Sequence, residues 1–525
     1  METYKLTGKE TLGVELGSTR IKAVLIDENC KPIASGGYNW ENSFVNGYWT
    51  YSLDEVWKGI QVAYSELNNK ILDMCGCRIE TLSAIGFSAM MHGYLPFDKN
   101  GELLTPFRTW RNTTTSQAAK ELTELFGFNI PQRWSIAHLY QAVLNNEEHI
   151  KYIDFITTLA GYVHWKLTGV KAVGIGEASG IFPIDSDNNC YNAEMLSKFS
   201  ELEKIKDMPW NVEEVLPDVL LAGVSAGCLT EEGALLLDPS GTLKSGIMLC
   251  PPEGDAGTGM TATNSVRVKT GNVSAGTSIF SMIVLEKQLS KVYEEIDLVT
   301  TPTGKPVAMV HCNNCCTDLD YWVNVFYEFA QKSGSNISKP QVYDMLYNEA
   351  LSADSDCGGV INYNLFSGEP VSGLEDGLPI FARTRNSKFN LANFFRAQIY
   401  STMATLKIGM EILEKENVQI DCIMGHGGLF KTPVVGQKLM AGALNSPVAV
   451  METAGEGGAW GIAVLAKFAA DNSNLSLEDY LDTVVFKDCA KSVINPDFED
   501  VSGFEKYMKL YKDGLAVEKT AIQSL

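Results

Sequence analysis

Two segments of the chain share one pattern: an apolar run, a turn of glycine and hydroxyl residues, and a second apolar run. Residues 12–27 carry this pattern around Gly17-Ser18-Thr19, and residues 268–285 carry it around Gly276-Thr277-Ser278. The pattern predicts a β-hairpin whose turn is too small to fill a core. Glycine lets the backbone approach a ligand closely, and turn N–H and hydroxyl groups can surround a phosphate. Two such turns predict a polyphosphate that is bound from both sides.

The two hairpins divide a chain of 525 residues near its middle. A chain of this length exceeds one ordinary hydrophobic core, so two domains are expected. The strongest break near mid-chain is Pro251-Pro252-Glu253-Gly254-Asp255, and the second hairpin follows shortly afterwards. We therefore predict domains at residues 1–258 and 259–525.

The formal net charge of −22 is spread over the chain without a long acidic run. This charge argues against nucleic acid or an anionic membrane surface as a partner. The N-terminus lacks a basic segment followed by a long apolar stretch, so a cytoplasmic protein is expected. A bound phosphate would have to be held by backbone dipoles and a metal ion.

The chain has twelve cysteines, which is too few in this length for a secreted disulfide scaffold. Cys312 and Cys315 have the close spacing of half a zinc site, with Cys316 beside them. Because a second pair at matching spacing does not follow, buried reduced thiols are favoured over structural zinc.

Local patterns predict an α/β protein. Ser52 and Glu55 have the spacing of a capping box at the start of an amphipathic helix. Residues 82–88 form an apolar run typical of a buried strand, and residues 155–169 predict a helix that Gly169 ends. Strand, hairpin and crossover helix in this order indicate a layered α/β domain.

Several segments between and after the hairpins carry candidate chemistry. They are Ser88-Ala89-Met90-Met91-His92-Gly93, Trp110-Arg111-Asn112-Thr113, Gly254-Asp255-Ala256-Gly257, Gly427-Gly428-Leu429-Phe430-Lys431-Thr432-Pro433, and Glu456-Gly457-Gly458-Ala459-Trp460-Gly461. Their order resembles that of the FGGY carbohydrate kinases over nearly the whole chain. The resemblance implies two ribonuclease H-like domains of the actin, Hsp70 and hexokinase superfamily, with a cleft between them.

The resemblance implies an acceptor site for a sugar. The loop with Ser88, Met91 and His92 resembles the sugar-binding loop of the family and is most similar to its xylulokinase form, so a ketopentose such as xylulose or ribulose is expected. Trp110 and Asn112 lie in a segment that resembles Trp-x-Asp-x-Arg, which also faces the sugar. Here Asn112 replaces the acid and the arginine is absent, so a hexulose or a polyol stays an alternative acceptor.

The resemblance also implies catalytic and metal roles. Asp255 matches the family's general base, which accepts the proton of the attacking sugar hydroxyl. Glu15 stands where the family has an aspartate that holds Mg²⁺ through water, so Glu15 and Asp255 are the expected metal residues. A longer carboxylate can still hold the ion, but with altered geometry.

ATP is the expected cofactor, together with Mg²⁺. The resemblance implies that its phosphates and nucleoside are bound by residues of both hairpins and of the two glycine-rich segments in the second half: Gly17, Ser18, Thr19, Lys22, Gly276, Thr277, Ser278, Gly427, Gly428, Lys431 and Glu456.

Other readings stay open at this point. Glu15 and Asn112, each in the place of an aspartate, are compatible with a sensor of the same fold that binds ATP and sugar with little or no turnover. A chaperone or filament ATPase shares the hairpins but has no need for a loop such as Met91-His92-Gly93. The sequence does not decide between a monomer and a homodimer.

Overall fold

The computed structural model describes residues 4–451 and 457–525. The chain folds into two compact units. The first contains Met1–Val266, Asp297–Val307 and Glu456–Asp488, and the second contains Arg267–Ile296, Ala308–Gly455 and Cys489–Leu525. The division thus differs from a single boundary at residue 258, because two later segments pack with the first unit.

The helices are α1 Leu53–Cys75, α2 Ser116–Phe126, α3 Ser135–Leu144, α4 Leu159–Thr168, α5 Ile175–Ala178, α6 Ala193–Ser200, α7 Val212–Val215, α8 Glu231–Leu237, α9 Asp255–Ala262, α10 Thr317–Lys332, α11 Lys339–Ala350, α12 Leu391–Lys415, α13 Val435–Leu444, α14 Gly457–Asp471, α15 Leu477–Tyr480 and α16 Phe498–Ser524. The strands are β1 Thr11–Leu16, β2 Arg20–Ile26, β3 Pro32–Asn39, β4 Ser43–Val45, β5 Tyr48–Thr50, β6 Ala84–Ala89, β7 Leu95–Phe97, β8 Phe155–Thr157, β9 Ala172–Gly174, β10 Ile184–Asp185, β11 Cys190–Tyr191, β12 Asp218–Leu220, β13 Met248–Leu249, β14 Glu253–Gly254, β15 Thr270–Ala275, β16 Ile279–Val284, β17 Asp297–Thr300, β18 Pro306–Cys312, β19 Val360–Tyr363, β20 Ile380–Arg383, β21 Cys422–Gly427, β22 Val448–Met451 and β23 Lys491–Ile494.

The main sheet of the first unit confirms the first predicted hairpin. Its strands lie in the order β13, β6, β1, β2, β3, and β14 also pairs with β6. β1 pairs antiparallel with β2 around the turn of Gly17 to Thr19, and Glu15 lies opposite Lys22. β6 runs parallel to β1, so that Glu15 also lies beside Ser88. This register places two candidate site residues on neighbouring strands.

The main sheet of the second unit confirms the second hairpin. Strands β18, β16, β15, β21, β22 and β23 follow one another in this order. β15 and β16 pair antiparallel around Gly276 to Ser278. β21 runs parallel to β15 with Gly427 beside Ala275, so each unit has a hairpin followed by a parallel strand.

Two local predictions have different outcomes. The helix after Ser52 is confirmed as α1, and the Ser52 side chain accepts a hydrogen bond from the Glu55 N–H. The helix predicted over residues 155–169 was wrong at its start, because Phe155–Thr157 pairs with β7 as a strand. The reason lies in the β-branched run of Ile156 to Thr158: β-branched residues favour a strand, and Thr158 then caps α4.

Within residues 4–451 and 457–525, we find no helix that combines the length and the apolar composition needed to cross a bilayer.

Helix α14 packs unusually close to β1. A Cβ atom on Gly13 would lie 2.1 Å from the Ala459 carbonyl oxygen and 2.7 Å from the Ala463 nitrogen. Both distances are shorter than van der Waals contact, so glycine is required for this approach. Gly13 therefore sets how near the start of α14 comes to the strand that carries Glu15.

We expect Gly13→Ala to lower the free energy of unfolding by about 3 kcal/mol, because backbone atoms of α14 would have to move. Denaturant titration of the full chain measures this change. Gly259→Ala in α9 is the control: nothing lies within 4 Å of the added Cβ, and alanine favours a helix interior. Equal stability of the two variants would contradict the proposed packing constraint.

Candidate active site

The turn of the first hairpin is fastened by two aromatic side chains. The Trp40 indole N–H donates to the Gly17 carbonyl at 2.7 Å, and the Tyr51 hydroxyl donates to the Ser18 carbonyl at 2.6 Å. The two rings stack at a centroid distance of 4.2 Å. Because the turn carbonyls are engaged by these rings, the turn has a defined backbone shape.

Ser88 and the loop after it lie at the end of β6. The Ser88 hydroxyl is 3.1 Å from the Thr258 hydroxyl of α9, and the Met90 N–H donates to the Leu16 carbonyl at 3.0 Å. These bonds hold the loop to both β1 and α9. Ser88 is fully buried and Met91 is 6% exposed, so Ser88 is placed to orient the loop.

His92 is held in a defined orientation and charge state. Its φ of 68° is in the left-handed region, which non-glycine residues seldom adopt. Its Nδ1 lies 3.3 Å from the Gly180 carbonyl, and its ring stacks on that of Trp134. Burial, with the positive charge of Arg133, lowers the pKa of His92 to about 3. Since the carbonyl can only accept, Nδ1 carries the proton of the neutral ring and Nε2 is a hydrogen-bond acceptor.

Asp255 is the first residue of α9 and faces the same loop. Its Oδ1 accepts a hydrogen bond from the Met91 N–H at 3.2 Å. Water reaches the side chain, but the surrounding protein replaces much of its solvent shell. This loss of solvation raises the pKa of Asp255, and the Met91 N–H partly opposes the rise. The result is an oriented carboxylate with more proton affinity than a free aspartate.

Two buried carboxyl groups lie behind Asp255. Burial raises the pKa of Glu253 to about 8, although the N–H groups of Gly176 and Glu177 donate to it. Burial raises the pKa of Glu177 well above its ordinary value, and the charges of Glu253 and Asp255 add to this rise. A Cβ on Gly254 would lie 2.5 Å from Glu177 Oε2, so only glycine fits before Asp255. With its raised pKa, Glu253 is mainly protonated at neutral pH.

Glu15 joins the first hairpin to α14. Its Oε2 accepts the Ala459 N–H at 3.1 Å. Burial raises the pKa of Glu15, the nearby charge of Asp255 raises it further, and the Ala459 N–H and the charge of Lys22 lower it. A divalent cation would relieve the repulsion between the Glu15 and Asp255 carboxylates. Mg²⁺ commonly takes one or two carboxylates together with water and phosphate oxygens, so this donor pair fits that ion.

Hydrogen bonds of the Asn112 amide hold the segment that follows Trp110. Trp110 is 40% exposed. The Asn112 amide accepts from the Trp49 N–H at 2.8 Å and donates to the Trp49 and Thr109 carbonyls at 2.9 and 3.0 Å. Asn112 therefore links β5 to this segment. An ionised aspartate at this position could not donate the two hydrogen bonds to the Trp49 and Thr109 carbonyls.

In the second unit, the structure brings the second hairpin and the Gly427-Gly428 segment side by side. Thr277 and Lys431 are exposed, and Gly276 and Ser278 are half-buried. The Gly276 carbonyl accepts the Cys316 N–H at 3.0 Å, and the Gly276 N–H donates to the Ser278 carbonyl at 2.9 Å. Glu456, predicted beside these groups, lies outside the described residues.

The bulky residues after Gly428 have a structural explanation. Leu429 is fully buried and Phe430 is 8% exposed, and the Thr432 hydroxyl donates to the Asp344 carboxylate at 2.9 Å. These side chains anchor the loop in its own unit.

Among the described residues, no three His, Cys, Asp or Glu side chains are grouped closely enough to hold a metal ion by themselves. Cys312, Cys315 and Cys316 are buried free thiols, with 3.5 Å between the sulfurs of Cys315 and Cys316.

Sequence reasoning identified Glu15, Ser88, Met91, His92 and Asp255, and the structure brings these residues together. It missed the groups that orient them, which are Trp40, Tyr51, Glu177, Glu253, Thr258 and the Ala459 N–H. Glu253 had one available signal, since it immediately precedes Gly254-Asp255. Thr258 lies three residues after Asp255, and Ala459 belongs to a segment that the sequence already indicated, whereas Trp40, Tyr51 and Glu177 lie far in sequence from the residues that they orient.

Glu15→Asp should destabilise the chain by about 1 kcal/mol, because the shorter side chain does not reach the N–H group near the start of α14. Glu15→Gln keeps an acceptor of the same reach and removes the repulsion with Asp255, so its stability should equal or exceed that of the wild type. Thermal and denaturant unfolding of the two variants test this pair. A stable Glu15→Asp beside a destabilised Glu15→Gln would show that charge, not reach, matters at this position.

The sequence matches known proteins over most of its length. Models of the FGGY family of carbohydrate kinases match residues 11–237 with the N-terminal domain and residues 271–470 with the C-terminal domain. The xylulose kinase of Haemophilus influenzae is 22% identical over 520 residues, which cover 95% of this chain and 98% of that protein.

Two solved structures from Lactobacillus acidophilus have the same fold. The ligand-bound xylulose kinase has a TM-score of 0.76 at 17% identity, over 98% of this chain and 100% of that one. The gluconate kinase has a TM-score of 0.76 at 18% identity, over 97% and 98% of the two chains. These matches confirm that the chain has the predicted two-domain α/β fold, as in these carbohydrate kinases. Since the two family matches together span most of its length, the chain belongs to the FGGY family of carbohydrate kinases, which are sugar phosphotransferases.

Proposed function

We propose that this chain transfers the γ-phosphoryl group of ATP to a hydroxyl of a ketopentose such as xylulose or ribulose, with Asp255 as general base. The observation that carries the proposal is the Asp255 carboxylate, which is oriented by the Met91 N–H and has a raised pKa. A base of this kind accepts the hydroxyl proton as the oxygen attacks the γ-phosphorus. Phosphoryl transfer depends mainly on positioning and charge stabilisation, so a modest proton affinity is sufficient.

The acceptor residues have complementary roles in this proposal. Neutral His92 accepts a hydrogen bond from a sugar hydroxyl through Nε2. Met91 supplies an apolar surface, and its N–H keeps Asp255 in place. Trp110 offers an exposed indole to the C–H groups of the sugar. Ser88 and Asn112 act on the shape of the site, since their side chains are bonded to Thr258 and to the Trp49 backbone.

The nucleotide is assigned to the two hairpins and to the glycine-rich segments. Gly17, Ser18, Thr19 and Lys22 act in the first unit, and Gly276, Thr277, Ser278, Gly427, Gly428, Lys431 and Glu456 are assigned with the second hairpin. Glu15 and Asp255 would hold Mg²⁺, which supplies charge neutralisation for the phosphates when it is bound. The net charge of −22 makes such neutralisation useful for a polyphosphate.

The ketopentose is proposed from two concordant observations. The Met91-His92 loop is most similar to the xylulokinase form, and relatives that match the chain are named xylulose kinases. The gluconate kinase among the structural neighbours makes a sugar acid the relevant alternative class. A hexulose or polyol kinase differs from the proposal only in the acceptor.

A second candidate is a protein of this fold that binds ATP and sugar with little turnover. Its motivation is Glu15, because one of its carboxylate oxygens is already bonded to the Ala459 N–H. Calorimetry that detects both ligands, with no phosphorylated product over many hours, would favour it.

Asp255→Asn should reduce kcat by about 10²–10⁴-fold, the usual contribution of a positioned base. The assay measures ADP release against pentuloses, hexuloses and polyols and identifies the phosphorylated product by mass spectrometry. Asp54→Asn is the control, because Asp54 is also an acid in the first turn of a helix but belongs to α1, which carries none of the candidate site residues. If Asp255→Asn keeps full turnover, the assignment of the base fails; if no acceptor stimulates the wild type, the proposed activity fails.

A further inference from the structure

The segment Arg133-Trp134-Ser135 packs against the acceptor loop, which is the loop of Met91, His92 and Gly93. The Gly93 N–H donates to the Arg133 carbonyl at 3.3 Å, and the Ser135 hydroxyl donates to the Gly93 carbonyl at 2.5 Å. Between these two bonds, the Trp134 ring stacks with the His92 ring at a centroid distance of 6.3 Å. The segment is therefore fixed against the residue that follows His92.

The Arg133 side chain forms an ion pair with Asp297, the first residue of β17. Both residues belong to the first compact unit, because Asp297–Val307 returns to it. The Asn129 amide donates to the same carboxylate at 3.4 Å. The Arg133 side chain is 28% exposed and that of Asp297 is 11% exposed. The pair is thus largely enclosed, yet part of the guanidinium is accessible.

The charge of Arg133 acts on the acceptor loop. Its positive charge is one cause of the lowered pKa of His92, so the guanidinium lies within electrostatic range of that ring. Burial lowers the pKa of Arg133 to about 10, which leaves it charged at neutral pH. An unpaired arginine at this place would attract an anionic ligand, because a guanidinium binds a carboxylate with two parallel hydrogen bonds.

The Asp297 carboxylate already forms an ion pair with the Arg133 guanidinium, in the place that a ligand carboxylate would take. The pair has no net charge, and it offers N–H donors beside carboxylate acceptors, which suits neighbouring hydroxyl groups. The Asp255 and Glu15 carboxylates add negative charge to the same unit. An acceptor with its own carboxylate would have to compete with Asp297 and would be repelled by Asp255.

We infer that the Arg133–Asp297 pair determines the acceptor class: it selects an uncharged polyhydroxy sugar and excludes aldonic acids. This inference rests on the proposed function for the location of the acceptor. Arg133 is a specificity-determining residue in this account, and Asp297 is the residue that neutralises it.

The test measures acceptor binding by calorimetry without nucleotide, so it does not depend on phosphoryl transfer. The probes are neutral pentuloses and polyols, and aldonates of the same chain length. Asp297→Asn should raise the aldonate to neutral-sugar affinity ratio by at least about tenfold, because it leaves Arg133 unpaired near the acceptor. The double variant Arg133→Gln/Asp297→Asn should return the ratio towards the wild-type value, and it covers the case in which the single variant is unstable.

Glu147→Gln is the matched control. Glu147 pairs with Arg108, whose side chain is only 2% exposed and so is closed to a ligand. Loss of the Glu147 charge should therefore leave the aldonate to neutral-sugar affinity ratio unchanged. A ratio in folded Asp297→Asn within twofold of wild type, or a wild type that prefers aldonates, would overturn the inference. A wild type that binds neutral sugars but never phosphorylates them would refute the proposed function and leave the specificity result standing.

Discussion

The close packing of α14 on β1 is the contact on which the rest of the first unit depends. Because Gly13 has no side chain, backbone atoms of α14 lie against the strand that carries Glu15. The Ala459 N–H then reaches the Glu15 carboxylate. The same helix packs against α9, whose first residue is Asp255. This one backbone contact thus helps to fix the positions of Glu15, the candidate metal residue, and Asp255, the candidate base.

The carboxyl groups around this contact differ in their exposure to water. Glu177 and Glu253 are enclosed and have raised pKa values, and the Glu253 carboxyl group accepts hydrogen bonds from the Gly176 and Glu177 N–H groups. Asp255 keeps contact with water and an oriented N–H donor. These two features suit the roles proposed for Asp255, which are general base and metal residue. The Arg133–Asp297 pair also limits the charge that a ligand meets, because a charge that is paired inside the protein does not attract a charged ligand.

The sequence predicted those features that depend on neighbours along the chain. Both hairpins, the helix after Ser52 and the strand predicted at residues 82–88 follow from local periodicity and turn chemistry, and the structure confirms them. The strand at Phe155–Thr157 was missed because its partner, β7, is almost sixty residues away. Asn112 stands where the resemblance places an acid that faces the sugar, but the sequence did not indicate that its amide forms hydrogen bonds with the Trp49 backbone. Likewise, nothing near Arg133 in sequence indicates Asp297, since the pairing requires the chain to return after the second hairpin.

A crystal structure of the full chain with a bound ketopentose tests the central claim most directly, namely that Asp255 and the Met91-His92 loop form the acceptor site. The account predicts one sugar hydroxyl within about 3 Å of the Asp255 carboxylate, the reach of a general base, and a second hydroxyl that donates to His92 Nε2. A sugar bound in another part of the chain, with Asp255 and His92 facing only solvent, would contradict it.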